Sequence, residues 1–206
     1  MTPDLDTLSR QIIQAADNLP RYMVALAGPP GAGKSYRSEQ LCTAINQKRP
    51  GHAGVVPMDG YHFDNAVLGE SQLSLKGAPH TFDVDGLRVD LERIRHADRP
   101  VAVPVFDRPL DLARAGGRLI TTEQRIVIVE GNYLLLDRPA WRDLRPFFDW
   151  TLMIDVADEV LAERLVARWL AMGEDRAGAL ERTYQKDMLN AQLVKTCSLP
   201  PDQRWR

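Results

Sequence analysis

The chain has 206 residues, 44% hydrophobic and 26% charged: enough apolar side chain for one substantial core, with no apolar run long enough to cross a membrane as a helix. Its formal net charge of -2 excludes a nucleic-acid or anionic-membrane binder that works through bulk positive charge. Cys42 and Cys197 lack metal-type spacing and are expected as reduced thiols, and the start Met1-Thr2-Pro3-Asp4-Leu5-Asp6 is acidic where a signal peptide is basic, so a single cytoplasmic domain over 1–206 is expected.

Leu5, Leu8, Ile12, Ala16 and Leu19 recur at helical spacing, which predicts an amphipathic N-terminal helix over residues 4–18, within a 1–20 segment that packs on the body. The apolar run Met23-Val24-Ala25-Leu26-Ala27 predicts a buried strand over 22–27. It leads directly into Gly28-Pro29-Pro30-Gly31-Ala32-Gly33-Lys34-Ser35, which meets G-x-x-x-x-G-K-[ST] at every fixed position. In such a phosphate loop, Gly28, Gly31 and Gly33 permit backbone angles and close approach that a Cβ forbids, so successive amides form an anion cradle. The following helix, over 33–47 and including Tyr36, adds its positive dipole end. Lys34 is suited to bridge β- and γ-phosphates, and the Ser35 hydroxyl to hold Mg²⁺.

After Arg49-Pro50-Gly51, residues 55–58 predict a short buried strand that ends on Asp59. Residues 60–82 are long for an internal loop and are read as a substrate-side flap carrying His62, Lys76 and His80. A helix over 84–97, a strand over 101–106 and a polar excursion over 107–118 follow. Residues 125–131 form the clearest strand, four β-branched or aliphatic positions ending on Glu130, and 150–155 another. Helices are predicted over 157–172 and 178–195, and the tail 199–206 looks too polar and short for a closing strand. Strands alternating with helices predict an α/β doubly wound fold, three layers with helices on both faces of a parallel sheet. Gly28, Asp59, Asp107, Glu130 and Asp155 then all fall at carboxyl ends of strands, where ligands bind in such sheets.

Phosphoryl transfer asks for positioning and charge neutralisation more than covalent help, so four parts are sought. Residues 28–35 supply the cradle. Asp59 is placed to accept the proton of an acceptor hydroxyl, and Glu130 to organise Mg²⁺ or act beside Asp59. Arg164 and Arg168 lie four apart on one flank of the helical stripe made by Leu161, Leu165 and Trp169; with Arg176 they are read as a basic lid over 164–178. Arg108, His62, Lys76 and His80 are candidates to grip the acceptor.

With these residues assembled, the chain resembles the uridine kinase, phosphoribulokinase and type I pantothenate kinase group of P-loop kinases. The resemblance runs from about residue 22 to about 195. It rests on residues 28–35, Asp59-Gly60 with Tyr61 and Phe63, Lys76-Gly77-Ala78-Pro79-His80-Thr81-Phe82-Asp83, Val103-Pro104-Val105-Phe106-Asp107 and Val129-Glu130-Gly131. Met58-Asp59-Gly60-Tyr61-His62 and Glu130-Gly131-Asn132-Tyr133-Leu134-Leu135-Leu136 are most similar to bacterial kinases assigned to fructose transport systems. The resemblance implies a P-loop NTPase-type sheet with the phosphate-loop strand central, ATP and Mg²⁺ at Lys34 and Ser35, a catalytic base at Asp59 and lid arginines at Arg164 and Arg168. It further implies a small-molecule hydroxyl acceptor, with a sugar preferred over a nucleoside or pantothenate, and association as a homodimer. Gly60-Tyr61-His62-Phe63 departs from the Ser-Phe-Tyr-like run of uridine kinases. A GTPase-like switch is the rival reading, weakened by the lack of Asn-Lys-x-Asp; a nucleotide-binding module without catalysis is the other.

Overall fold

The computed structural model describes residues 4–206. Helix α1 (Leu5–Ala16) starts at Asp4, whose carboxylate accepts the Thr7 amide at 2.7 Å, and buries Leu8, Ile12 and Ala16. Residues 1–3 of the acidic start lie outside the described residues. Next come β1 (Tyr22–Ala27), the phosphate loop, α2 (Lys34–Lys48) and β2 (Ala53–Pro57). A 3-10 turn (Met58–Tyr61) leads to the short helices α3 (Asn65–Leu68) and α4 (Glu70–Leu73), another 3-10 turn (Pro79–Thr81) and α5 (Val84–His96). Strands β3 (Val101–Asp107), β4 (Leu112–Ile120), β5 (Ile126–Gly131) and β6 (Trp150–Ile154) follow. The chain ends with α6 (Asp158–Ala171), α7 (Arg176–Arg182), a π-helical turn (Thr183–Asp187), α8 (Met188–Cys197) and β7 (Gln203–Trp205).

The main sheet is parallel in the order β2-β5-β1-β6-β7, with the phosphate-loop strand in the middle. β1 and β5 are buried at every residue, as an internal strand covered on both faces must be. Alternation then sorts their side chains. Met23, Ala25, Val127 and Val129 face α5 through Leu87 and Leu91. Val24, Leu26, Ile126 and Ile128 face α1, α2 and α6 through Ile12, Leu41 and Leu161. The expected three-layer α/β architecture is therefore present. Among the described residues no helix is long and apolar enough to cross a membrane.

Three expectations are corrected. Residues 101–107 are outside the parallel sheet: β3 pairs antiparallel with β4 (Leu112–Ile120), a strand that takes up much of the polar excursion expected over 107–118. The reason is visible at Pro104, which has no N–H for a ladder and coincides with the register shift between Val103 and Val105. The tail does form a strand, β7, beside β6; Asp202 accepts the Thr151 amide at 2.9 Å and hydroxyl at 2.7 Å, and Trp205 is buried. Finally, the helix expected over 178–195 is interrupted by the π turn.

Candidate active site

The loop between β1 and α2 takes left-handed angles at Gly31 (φ 78°) and Gly33 (φ 84°), which a side chain would strain, and α2 starts on it. Lys34 is buried, and its Nζ donates to the Pro29 carbonyl at 3.0 Å. Burial holds this ammonium below the usual lysine range, against the opposing pull of Glu130 and Asp59. Parallel pairing of β1 and β5, with Leu26 opposite Glu130, sets that glutamate beside the loop. The Ser35 hydroxyl donates to Glu130 Oε1 at 2.8 Å. Burial first, and then the nearby Asp59 charge, push the Glu130 carboxyl up to about 7, with Lys34 and the Ser35 hydrogen bond opposing.

Asp59 leaves the end of β2 on the 3-10 turn. Arg108 Nη2 donates to its Oδ2 at 2.7 Å. Burial disfavours its charge, yet Arg108, His62 and Lys34 together outweigh this and hold the carboxyl below its ordinary value. His62 turns its Nδ1 to the Asp59 carbonyl at 2.7 Å and lies against Phe82 and Phe106, ring centroids 4.0 and 4.6 Å away. Lys76 Nζ is clasped by Asn65 Oδ1 (2.7 Å) and by the carbonyl (2.6 Å) and carboxylate (3.0 Å) of Asp111.

These groups share one cavity of about 550 Å³, lined by Gly31, Gly33, Lys34, Ser35 and Tyr36 on one wall, and by Asp59, His62, Lys76, Arg108, Glu130 and Arg168 around it. Gly28 and Ala32 are buried parts of the loop that do not line it. Three expected site residues lie elsewhere. His80 is exposed and pairs its Nε2 with Gln72 Oε1 at 3.0 Å within residues 60–82. Arg164 is exposed, donates to the Gly31 carbonyl at 3.3 Å and does not line the cavity. Arg176 is exposed and outside the cavity lining. Arg164 and Arg168 sit one turn apart on the same flank of α6, but Arg164 reaches back to the Gly31 carbonyl whereas Arg168 reaches Asp187 on the cavity wall. Two strand-end carboxylates also point away: Asp107 pairs with Arg114 across the hairpin at 3.0 Å, and Asp155 with Arg206 at 3.2 Å.

The cavity gains residues that sequence reasoning missed: Phe106, Asp111, Asn132, Trp169, Arg182, Lys186, Asp187 and Asn190. Trp169 reads as a member of an apolar stripe, but its Nε1 donates to the buried Asp187 carboxylate at 2.8 Å. The widened π turn lets adjacent residues Lys186 and Asp187 both reach the cavity; such turns recur at functional sites. No sequence signal marks it.

Ser35 and Glu130 offer a hydroxyl and a carboxylate in contact, the hard-oxygen donors that suit Mg²⁺. Among the described residues there is no group of three or more His, Cys, Asp or Glu side chains that could hold a metal ion.

No family model matches the chain. The chain is 32% identical over 207 residues to a candidate uridine kinase of Schizosaccharomyces pombe, with 96% of this chain and 88% of the relative covered. It is 29% identical over 184 residues to the pantothenate kinase of Bradyrhizobium sp. (strain ORS 278), covering 85% of this chain but only 57% of that enzyme. The crystal structure of a candidate fructose transport system kinase from Silicibacter sp. TM1040 superposes with a TM-score of 0.93 at 39% identity, covering 99% of this chain and all of that one.

Proposed function

The chain belongs to the P-loop kinase group of the uridine and pantothenate kinases, ATP-binding phosphotransferases with a hydroxyl acceptor, and from that premise we propose that its acceptor is a small sugar-like metabolite. The observation that carries the site assignment is the meeting of Asp59 and Lys34 on one cavity, close enough for Asp59 to be among the main charges acting on Lys34. In this reading the loop amides cradle the triphosphate, and Lys34 leaves the Pro29 carbonyl for the β- and γ-phosphates. Ser35 and Glu130 hold Mg²⁺, which when bound neutralises phosphate charge. Asp59, kept ionised by Arg108, orients the acceptor hydroxyl and accepts its proton as the phosphoryl group transfers; because the transition state is loose, this step asks for position more than for a strong base. Arg168, within the electrostatic reach of Asp59 and Arg108, faces the transferring group. Residues 60–82 act as the acceptor-side flap, closed on the hairpin by Lys76, and α6 with the π turn as the lid.

A sugar is favoured over a nucleoside because the aromatic rings nearest Asp59 are already engaged: His62 packs against Phe106 and the buried Phe82, and Phe82 does not line the cavity. What remains open around Asp59 is polar, with Asn132, Arg108 and Asp111 able to pair with hydroxyls.

A coupled ADP-release screen with ATP, Mg²⁺ and a panel of sugars, nucleosides and pantothenate tests this. Sugar-dependent turnover is expected, reduced on the order of 10²- to 10⁴-fold in Asp59→Asn while ATP binding persists. Acceptor-independent hydrolysis, or full activity in Asp59→Asn, would overturn the assignment of this carboxylate.

A further inference from the structure

Trp169 collects three cations. The guanidinium carbons of Arg182 and Arg168 lie 4.9 and 5.2 Å from its ring centroid, and Lys186 Nζ lies 5.5 Å away. Two of the three have carboxylate partners: Arg182 reaches Glu174 at 2.7 Å, and Arg168 reaches Asp187 at 3.5 Å. Lys186, among the described residues, makes no hydrogen bond or ion pair, although its side chain is half-buried on the cavity wall. Burial accordingly holds its ammonium below the usual lysine range. Arg168 adds a second unused donor, since its Nε is buried without a partner. A partly desolvated cation beside two like charges is costly unless an anion arrives.

The position of Lys186 says which anion. Lys186 lines the same cavity as Asp111 and Lys76, which are paired with each other there, and it shares the Trp169 ring with Arg168. The charges acting on Lys34 are Glu130, Asp59, Arg108 and Arg168. Arg168 and Lys186 both line this cavity, and of the two only Arg168 has a carboxylate partner. A magnesium-bound triphosphate keeps about two net negative charges, which Lys34 and Arg168 offset. Lys186 is left over.

We infer that the acceptor carries an anionic group, a carboxylate or a phosphate, in addition to its reacting hydroxyl, and that Lys186 on the π turn holds it opposite Asp111 and Lys76. This rests on the kinase reading above and narrows it to sugar acids or sugar phosphates. Lys186 is then a specificity-determining residue.

The test uses the full chain with ATP and Mg²⁺ and a matched panel: neutral sugars and polyols, the corresponding sugar acids, and the corresponding sugar phosphates. ADP release is expected only with anionic members, and which arm responds separates carboxylate from phosphate. In Lys186→Gln the acceptor KM is expected to rise roughly ten- to a hundredfold, as for loss of a charge-assisted hydrogen bond, with the KM for ATP moving less than about threefold. Lys186→Arg, which keeps the charge, should recover most of that loss. Neutral sugars used as well as their acids, or a Lys186→Gln defect confined to ATP, overturns the anionic acceptor and leaves the kinase reading standing. ADP release that depends on no acceptor overturns both.

Discussion

The two walls of the cavity are made by different means. The phosphate wall is built from backbone and two adjoining parallel strands: its loop amides, Lys34, Ser35 and Glu130 are placed by the β1–β5 register and are mostly buried. The acceptor wall is built from side chains on short, separate pieces: the 3-10 turn bearing Asp59, the residues around Lys76, the β3–β4 hairpin and the π turn. These are held by ion pairs such as Lys76–Asp111 and Arg182–Glu174. The difference teaches that phosphate handling is set by a rigid frame, whereas acceptor choice rests on groups that few covalent or ladder constraints hold.

Four variants break or sharpen that contrast. Lys34→Ala should have the largest effect, a loss of turnover of at least roughly a thousandfold, because the side chain acts on transition-state charge. The cooperative melt should persist, since removing a buried ammonium relieves desolvation; loss of that melt would mean the phosphate wall is less rigid than described.

Glu130→Gln tests the buried carboxyl of the same wall. Its folded pKa of about 7 lies above the ordinary 4.5, so between those values the folded chain keeps a proton the unfolded chain has released. Stability from this group therefore falls as pH rises through that window and stays low above it. At pH 8 without metal, Glu130→Gln should be more stable than the parent, by up to about 3 kcal/mol, and melt at a higher temperature. Mg²⁺-dependent nucleotide binding should fall in the variant, and in the parent should weaken roughly tenfold per unit below about pH 7. Calorimetric melts and nucleotide titrations across pH 5.5 to 8.5 read both; a melt that drops at pH 8 would contradict the assigned charge state.

Gly60→Ala probes the acceptor wall. A Cβ there runs into the Pro104 backbone carbonyl of β3, which cannot turn aside as a side chain can. The hairpin must shift, at about 1–3 kcal/mol, and the KM for acceptor should rise more than that for ATP. Equal effects on both would show the walls to be coupled. Lys76→Ala should cost roughly 1–3 kcal/mol of stability, because its side chain is only 8% exposed and its ammonium is held by Asn65 and Asp111, even though the Asp111 carboxylate is itself exposed. Its signature is a raised acceptor KM with ATP binding unchanged.

Much of the phosphate wall was legible because its parts are neighbours in sequence: a buried strand, a glycine loop, a lysine and a helix start. Asp59 and Glu130 were legible as carboxylates closing apolar runs. The same rule overreached at Asp107, because an apolar run does not tell which sheet a strand joins and β3 joins a hairpin, and at Asp155, which ends a strand of the main sheet but is paired with Arg206 of the tail. Pro104 carried a usable signal for the hairpin. Arg164 and His80 lie off the cavity lining because their side chains find other partners, the Gly31 carbonyl and Gln72, which spacing does not reveal, and Lys186 and Asp187 went unseen because a π turn leaves no periodicity to read.

By itself, then, the order of residues determined the α/β class, the central phosphate-loop strand and the anion cradle, since these depend on local backbone chemistry and on burial periodicity. Tertiary structure alone decided which charges face the acceptor. Trp169 meets Asp187 and Lys76 meets Asp111 only once separate helices and a hairpin pack around one cavity, and side-chain encounters of that kind are set by the packing of whole elements rather than by spacing along the chain.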